Sequence, residues 1–297
     1  MEYIINSEQD GLLLRDFMRS TLCMSGGMIK RLKRKFDGIT VNGIHQNVIY
    51  RLKCGDKVNF DICDTAADAK GKLLPVDLPL DILYEDENIT VVNKPCNMPT
   101  HTSFDHYTDT LANALAYRYA GKPYIFRCTN RLDKDTSGVV LTANNAYFAA
   151  KLSKMISGGR IKKEYMAIVK GRIDGSGTID APIARVGDSI IKREVRDDGE
   201  YAVTDYRSIY SSDQISVVLA YPQTGRTHQL RVHFAYVGHP ILGDELYGEK
   251  SSDISRQALH CYRMTLDAKK SFTACIPNDM KNVINRYFAN AENLNNL

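Results

Sequence analysis

The sequence predicts an α+β protein in which a small α/β module precedes a larger domain built on a mixed, largely antiparallel sheet. Beyond residue 79, strand and helix patterns follow one another irregularly, without the repeating strand-helix-strand units of a doubly wound parallel sheet. Residues 63–78 (CDTAADAKGKLLPVDL) are small, polar and without periodicity, which is typical of a linker. A chain of 297 residues has room for two such domains. We therefore predict a module at 1–62, a linker at 63–78 and a second domain at 79–297.

Two short amphipathic helices are predicted in the module. Apolar residues recur at roughly helical spacing over 11–20, and Met28, Leu32 and Phe36 lie four residues apart in the second segment. Gly38 is predicted to cap that second helix at its carboxyl end. Its remaining faces carry basic residues: Lys30, Arg31, Lys33, Arg34 and Lys35.

Strands are predicted wherever short apolar or alternating segments are bounded by turn residues. In the module they lie at 39–41 and 57–62, and the pair Asn42-Gly43 forms a turn after the first of them. The larger domain has predicted strands at 82–84, 89–92, 138–142, 165–169, 203–210 and 215–221, and predicted helices at 111–119, 146–156 and 227–236.

The distribution of charge is more informative than the net charge of +4. Residues 1–60 contain 10 Lys or Arg and 6 Asp or Glu, whereas residues 61–297 contain 29 of each kind. The whole basic excess lies in the first fifth of the chain, which indicates that this part contacts a polyanion.

Several classes of protein are disfavoured by composition. Residues 1–10 carry Glu2, Glu8 and Asp10 and lack the apolar core of a secretory signal, and no window approaches the roughly 18 apolar residues of a membrane span. The seven cysteines are scattered and never spaced Cys-x-x-Cys, so neither disulfides nor zinc are indicated. We expect a cytoplasmic monomer without a membrane segment, metal or cofactor.

The first candidate for chemistry is the segment 130–138 (NRLDKDTSG), which places charged residues at the entrance to an apolar strand. A solvated turn with a side-chain cap would explain the pattern equally well. Asp133 and Asp135 would suit a glycosidase, in which two carboxylates share the work. Residues two apart on an extended strand point to opposite faces, however, so this pairing is a weak signal.

A second candidate is the segment 224–233 (TGRTHQLRVH). If Thr227 caps a helix there, His228 and Arg231 lie three residues apart on one face. Guanidinium, imidazole and amide groups at a helix start suit phosphate or base recognition, as Arg226, His228 and Gln229 would provide. A surface helix salt-bridged to the sheet is the alternative. The two histidines of the segment lack a third ligand at metal spacing.

Tyr165 is a third candidate, in the alternating segment 163–171 (KEYMAIVKG). Alternation puts Tyr165, Ala167 and Val169 on one strand face, so the ring could support an unstacked base. Most tyrosines in such a pattern simply pack in a core.

Taken in order, five segments resemble the RluA family of pseudouridine synthases, in its large-subunit ribosomal RNA branch. They are 82–95 (ILYEDENITVVNKP), 130–141 (NRLDKDTSGVVL), 163–171 (KEYMAIVKG), 222–233 (PQTGRTHQLRVH) and 238–248 (GHPILGDELYG). Residues 11–62 resemble an S4 RNA-binding domain, most closely in the strands around Asn42 and Gly43. The resemblance implies a pseudouridine synthase fold and an RNA substrate, with Lys30, Arg31, Lys33 and Arg34 on the RNA-binding module.

Roles for single residues follow from the resemblance. Asp133 matches the family's catalytic Asp, which is required to break and remake the bond between uracil and ribose. Tyr165 matches the aromatic residue that stacks on the target base and helps in proton handling at C5, and Arg231 matches the basic residue that pairs with the Asp. Arg131 matches an Arg that helps fill the space left by the flipped nucleotide. The motif usually begins with His, whereas Asn130 can form hydrogen bonds but cannot titrate, which argues against an acid-base role there and leaves local positioning open.

The chemistry agrees with these assignments. Isomerising uridine loses no leaving group and changes no oxidation state, so one carboxylate can suffice, either as a nucleophile on the sugar or as a base at C2′. A uridine stacked in RNA must be extruded into the site, which calls for a basic surface and an aromatic platform. The predicted substrate is 23S ribosomal RNA, with transfer RNA as the alternative. A non-catalytic RNA-binding assembly protein and a hydrolase using Asp133 and Asp135 are the competing hypotheses.

Overall fold

The computed structural model describes residues 1–65, 68 and 73–288, so part of the predicted linker lies outside the described residues. The first 60 residues form an antiparallel sheet with the strand order β1, β4, β2, β3. Its strands are β1 (Glu2–Ile4), β2 (Ile39–Val41), β3 (Ile44–His45) and β4 (Lys57–Phe60). Helix α1 (Leu14–Asp16) continues into a π-helical turn (Phe17–Thr21), and α2 (Gly26–Arg34) follows.

The end of α2 differs from the prediction. The helix stops at Arg34 because Lys35 adopts an extended conformation, so Gly38 does not cap it. Met28 and Leu32 are buried on its inner face as predicted. Phe36 lies beyond the end of the helix, where four-residue spacing no longer applies, and it is 88% exposed.

The larger domain is built on a mixed, largely antiparallel sheet, as predicted. Its strand order is β5, β6, β7, β14, β8, β13, β12, β9, with β15 paired to β14. The strands are β5 (Asp81–Glu85), β6 (Ile89–Lys94), β7 (Ser137–Ala143), β8 (Ile161–Lys170), β9 (Ser176–Asp180), β12 (Val203–Ser211), β13 (Ile215–Pro222), β14 (Leu259–Leu266) and β15 (Lys270–Thr273). A separate hairpin joins β10 (Ile183–Arg185) to β11 (Arg193–Val195).

The helices of this domain are α3 (Leu111–Arg118), α4 (Ala146–Ser157), α5 (Gln229–Tyr236) and α6 (Asn278–Tyr287). None of the helices formed by the described residues has the length and apolarity needed to cross a bilayer. The predicted helices at 111–119 and 146–156 are confirmed within a residue at their ends.

A parallel pairing of β7 with β14 places the segment 130–138 at the centre of the sheet. Gly138 has a φ of 111° and lies against Cys261, where a Cβ would come within 2.2 Å of the Cys261 carbonyl oxygen. Only glycine permits this close approach. On its other side Cys261 pairs with Tyr165 of β8, so the entrance to β7 and the tyrosine strand are brought within one strand of each other.

The module and the chain that follows it contact helix α4 and the segment before β7 in the larger domain. The Tyr147 hydroxyl donates to the Leu22 carbonyl oxygen at 3.0 Å, and the Tyr147 ring belongs to the module's hydrophobic core. The buried Asp64 carboxylate accepts from Arg127 at 2.7 and 2.9 Å and from Arg31 at 3.2 Å. Arg31 is therefore engaged in fixing the chain between the two domains.

His260 links stability to pH. Burial between Ser137 and Ala274 lowers the pKa of its imidazole to about 4, from an ordinary 6.5. The unfolded chain then binds more protons than the folded chain between these values, so stability falls as the pH drops from 6.5 towards 4. We expect this residue to lower the free energy of unfolding by about 2 kcal/mol between pH 7 and pH 5 in urea titrations. His260→Gln should flatten the pH slope and the exposed His45→Gln should not; equal slopes would contradict the assignment.

Candidate active site

The three candidate segments meet in one cleft of about 1330 Å³. Its walls come from the entrance to β7, from the first half of β8 and from the loop that leads into α5. Every residue predicted for the larger domain's site lines it: Asp133, Tyr165, Arg231, Arg131, Arg226, His228 and Gln229. Segments that are about 30 and 100 residues apart in sequence thus face the same space.

Arg231 bridges two carboxylates in this cleft. Its Nη1 donates to Asp133 Oδ2 at 3.1 Å, while Nε and Nη2 donate to the two oxygens of Asp244 at 2.6 and 2.8 Å. The Asp244 side chain is fully buried, whereas Asp133 is 30% exposed to the cleft. Burial by itself would lower the pKa of Arg231, but both carboxylates outweigh burial and raise it. A permanent positive charge is therefore held against the Asp133 carboxylate.

The loop that carries Asp133 is held from several sides. The Thr100 hydroxyl donates to the Leu132 carbonyl oxygen at 2.8 Å, and its oxygen accepts from the Leu132 backbone N–H at 3.2 Å. The Asn130 amide donates to the Val139 carbonyl oxygen at 3.0 Å and accepts from the Leu141 N–H at 2.9 Å. The buried Asn130 side chain thus connects the loop to β7 through two hydrogen bonds.

Lys94 supports the same loop from below. Its side chain is fully buried, and Nζ donates to the carbonyl oxygens of Pro95, Met98 and Lys134 at 2.8, 2.7 and 3.1 Å. Burial lowers the pKa of this amine to about 7, although the charges of Cys96 and Asp133 act in the opposite direction. Lys94 therefore ties the loop to the end of β6.

The start of α5 differs from the prediction. The helix begins at Gln229, and the residue before it, His228, is left-handed with a φ of 58°, so Thr227 does not cap the helix. The left-handed residue places His228 Nε2 at 3.8 Å from Asp133 Oδ2. His228 and Arg231 both lie near the Asp133 carboxylate, but His228 precedes the helix and does not share a helix face with Arg231 as predicted.

Tyr247 is hydrogen-bonded to His228. Its hydroxyl oxygen accepts the Arg193 backbone N–H at 2.9 Å and lies 2.8 Å from His228 Nδ1. Burial lowers the pKa of His228, against the opposing charge of Asp133. The Tyr247 ring also lies 5.1 Å from the Arg231 guanidinium, so it contacts both partners of the carboxylate.

Gln229 and Arg226 hold the loop around this centre. The Gln229 oxygen accepts from Thr224 Oγ1 and from the Arg226 N–H, and its nitrogen donates to Val203 and Thr204. The oxygen and the nitrogen of the Gln229 amide are therefore both hydrogen-bonded to other protein groups. The Arg226 guanidinium, which is 37% exposed, contacts Glu200 and the Tyr201 carbonyl oxygen.

Tyr165 and Asp135 have contrasting positions. Tyr165 lines the cleft but is otherwise buried, and desolvation, reinforced by the neighbouring Cys261, raises the pKa of its phenol well above 10. Asp135 is not part of the cleft wall, and its carbonyl oxygen accepts from Arg256 at 3.0 Å on the other side of the loop. The geometry thus disfavours a carboxylate pair and leaves Asp133 with a basic partner. In the described part of the chain, no group of three or more His, Cys, Asp or Glu is placed to hold a metal ion.

Comparison with known proteins agrees with this geometry. The family described as RNA pseudouridylate synthase matches residues 88–236. The chain is 38% identical to the RNA pseudouridine synthase YjbO of Bacillus subtilis over 270 residues, which cover 87% of this chain and 95% of YjbO. The chain belongs to the RNA pseudouridine synthase family.

One further relative and one solved structure are also similar to this pseudouridine synthase. It is 38% identical over 232 residues to the ribosomal large subunit pseudouridine synthase D of Zymomonas mobilis, covering 70% of this chain and 72% of that protein. The solved structure of human RNA pseudouridylate synthase domain containing 1 is 31% identical, with a TM-score of 0.54 over 67% of this chain and 84% of the human one. The RluA-family membership inferred from the five segments is confirmed, and the protein is an RNA-modifying isomerase.

Three residues of the synthase site were not singled out from sequence: Asp244, Tyr247 and Lys94. All three lie in segments that carry the family resemblance, 238–248 and 82–95. Asp244 and Tyr247 flank a tight turn in which Asp244 also accepts backbone N–H bonds from Leu246 and Tyr247. An acidic residue in a glycine-bounded turn looks like an ordinary turn carboxylate, so nothing local distinguished it from one.

Proposed function

We propose that this synthase isomerises specific uridines in 23S ribosomal RNA, with Asp133 as its catalytic carboxylate. The observation that carries the assignment is the Arg231 guanidinium, which joins Asp133 in the cleft to the buried Asp244. A carboxylate fixed in this way is held in one orientation and is only partly exposed, as an attacking or proton-accepting group must be. The relatives named as large-subunit synthases support ribosomal RNA as the substrate.

The reaction requires this carboxylate and a site that holds the uracil while it is detached from the sugar. The C1′–N1 bond breaks and its electron pair leaves with uracil, while Asp133 either bonds to C1′ or removes the C2′ proton. The uracil turns within the cleft and C5 bonds to C1′, while the Asp133–C1′ bond breaks or, on the other route, the proton returns from Asp133 to C2′. The proton on C5 is then lost and N1 gains one. Tyr165 is placed to stack on the uracil through this rotation. No cofactor enters the balance.

Charge on the cleft wall supports an RNA substrate. Two carboxylates, Asp133 and Glu164, stand among a larger set of basic side chains: Arg131, Lys134, Lys162, Lys163, Arg226, Arg231 and Arg263. Arg131 is exposed next to Asp133, where we propose that it fills the gap left by the extruded nucleotide. His228 meets the same nucleotide beside Asp133.

The amino-terminal module, which we propose to be an S4-like RNA-binding domain, offers a second basic surface. Lys30, Lys33 and Arg34 are exposed on α2, whereas Arg31 is held by Asp64. The exposed Phe36 ring stacks on His45 next to them, with ring centroids 6.5 Å apart. Phosphate contacts from this surface would supply affinity more than sequence specificity.

Neutralising α2 tests this division of labour. The triple variant Lys30→Gln, Lys33→Gln, Arg34→Gln should weaken RNA binding and lower the slope of log K against log salt by about 2 to 3, since each lost phosphate contact removes up to about 0.9. The rate on saturating RNA should stay near that of the parent. The matched variant Lys122→Gln, Lys250→Gln, Lys269→Gln removes three exposed charges elsewhere and should bind normally. Equal losses in both variants would count against an RNA-binding α2.

The substrate is tested directly by tritium release. The synthase should release tritium from 23S ribosomal RNA labelled at C5 of uridine, and a strain that lacks the gene should lose a pseudouridine in that RNA. A loss confined to transfer RNA would assign the alternative substrate, and release of free uracil would indicate hydrolysis instead.

A further inference from the structure

Lys163 lies on the strand that carries the proposed base platform. It precedes Tyr165 by two residues on β8, and residues at this spacing point to the same face of a strand. Both side chains line the cleft. On the opposite side the amine approaches the loop before α5, since a Cβ added at Gly225 would lie 3.9 Å from Lys163 Nζ. The amine is therefore enclosed between the tyrosine strand and the loop that carries His228.

This ammonium has no counter-ion in the described part of the chain. The charged groups around it are otherwise engaged, since Glu164 pairs with Arg263 at 3.6 Å and Asp133 with Arg231. Burial lowers the pKa of Lys163. The neighbouring thiols of Cys261 and Cys128 supply no negative charge at pH 7, because burial raises the pKa of each to about 12.

Burying a cation without a counter-ion costs free energy, and this cost is offset when a negative charge forms next to the cation. The proposed reaction produces such a charge. When the C1′–N1 bond breaks, the electron pair stays on uracil and is delocalised from N1 onto O2 and O4. The two arginines next to Asp133 are poorly suited to neutralise it, because Arg231 already binds two carboxylates and Arg131 is exposed.

We propose that Lys163 donates a hydrogen bond to a carbonyl oxygen of the departing uracil and stabilises the uracil anion until C5 bonds to C1′. The amine stays protonated throughout, so it is an electrostatic catalyst and not the base that removes the C5 proton. This inference rests on the proposed roles of Asp133 and Tyr165. It adds a catalytic residue that acts on the base, where Asp133 acts on the sugar.

Dependence on the leaving group tests the proposal. Single-turnover cleavage of the C1′–N1 bond, followed as loss of the N-linked nucleoside after digestion, is compared for RNA with uridine or 5-fluorouridine at the target position. Fluorine makes the departing base a more stable anion, and cleavage is the readout because 5-fluorouracil has no proton on C5 to lose. Lys163→Met should slow the uridine reaction by about 10²- to 10³-fold, the loss typical of removing one donor to a developing anion. The defect should shrink at least tenfold with 5-fluorouridine, and the RNA dissociation constant should change less than twofold.

Two further variants keep the test decisive. Lys269→Met removes an exposed lysine outside the cleft and should leave both rates within a few-fold of the parent. Lys163→Arg retains the charge and should recover most of the uridine rate, which excludes misfolding as the cause. Equal slowing of both substrates, or weaker binding at unchanged rate, would overturn the proposal and indicate a phosphate contact. Absence of turnover in the parent would instead contradict the proposed function.

Discussion

Asp133→Asn is expected to abolish tritium release from C5-labelled RNA, with a loss of at least about 10⁴-fold in the isomerisation rate. The amide is nearly isosteric, but it can neither attack C1′ nor accept the C2′ proton. Arg231 keeps both bonds to Asp244, so the cleft and its affinity for RNA should be preserved. Single-turnover rates and RNA dissociation constants, measured on the same preparation, separate the two effects.

Asp135→Asn is the matched control, because it makes the same change two residues away on a side chain outside the cleft wall. It should retain activity within a few-fold of the parent. Turnover that survives in Asp133→Asn would sink the catalytic assignment, and comparable losses in both variants would revive the carboxylate pair.

The second large effect is expected for Asp244→Asn. Asp244 accepts from Arg231 and from the backbone N–H groups of Leu246 and Tyr247, and its side chain is fully buried. The variant leaves a buried guanidinium short of one negative charge, which should lower the free energy of unfolding by about 3–5 kcal/mol in urea titrations. Arg231 also loses the contact that aims it at Asp133, so the isomerisation rate should fall by about 10²-fold.

Asp174→Asn provides the comparison for that measurement. Asp174 pairs with Arg172 at 2.8 Å on the open surface, where solvent screens the charges, so stability and activity should hardly change. If Asp244→Asn were as stable and active as Asp174→Asn, the buried ion pair would have no part in positioning Arg231.

Elements with a clean local pattern were predictable. Six strands and two helices of the larger domain fall where alternation or helical spacing placed them, within a few residues. β14 was missed although it lies at the centre of the sheet, because it is buried on both faces and shows no regular alternation. The start of α5 was misplaced because a left-handed residue at His228 replaces an ordinary cap, a conformation that sequence spacing does not reveal.

The sequence by itself determined the family and the mixed sheet. It also singled out Asp133, Tyr165 and Arg231 as candidate site residues, because each stands in a short ordered motif. The tertiary structure alone decided which groups meet: the parallel pairing of β7 with β14 brings Asp133 near the tyrosine strand. It also decided that Asp244 completes the ion pair with Arg231 and that Lys163 has no ion-pair partner among the described residues. Burial and ion pairing depend on contacts between segments up to about 100 residues apart, and no local pattern records them.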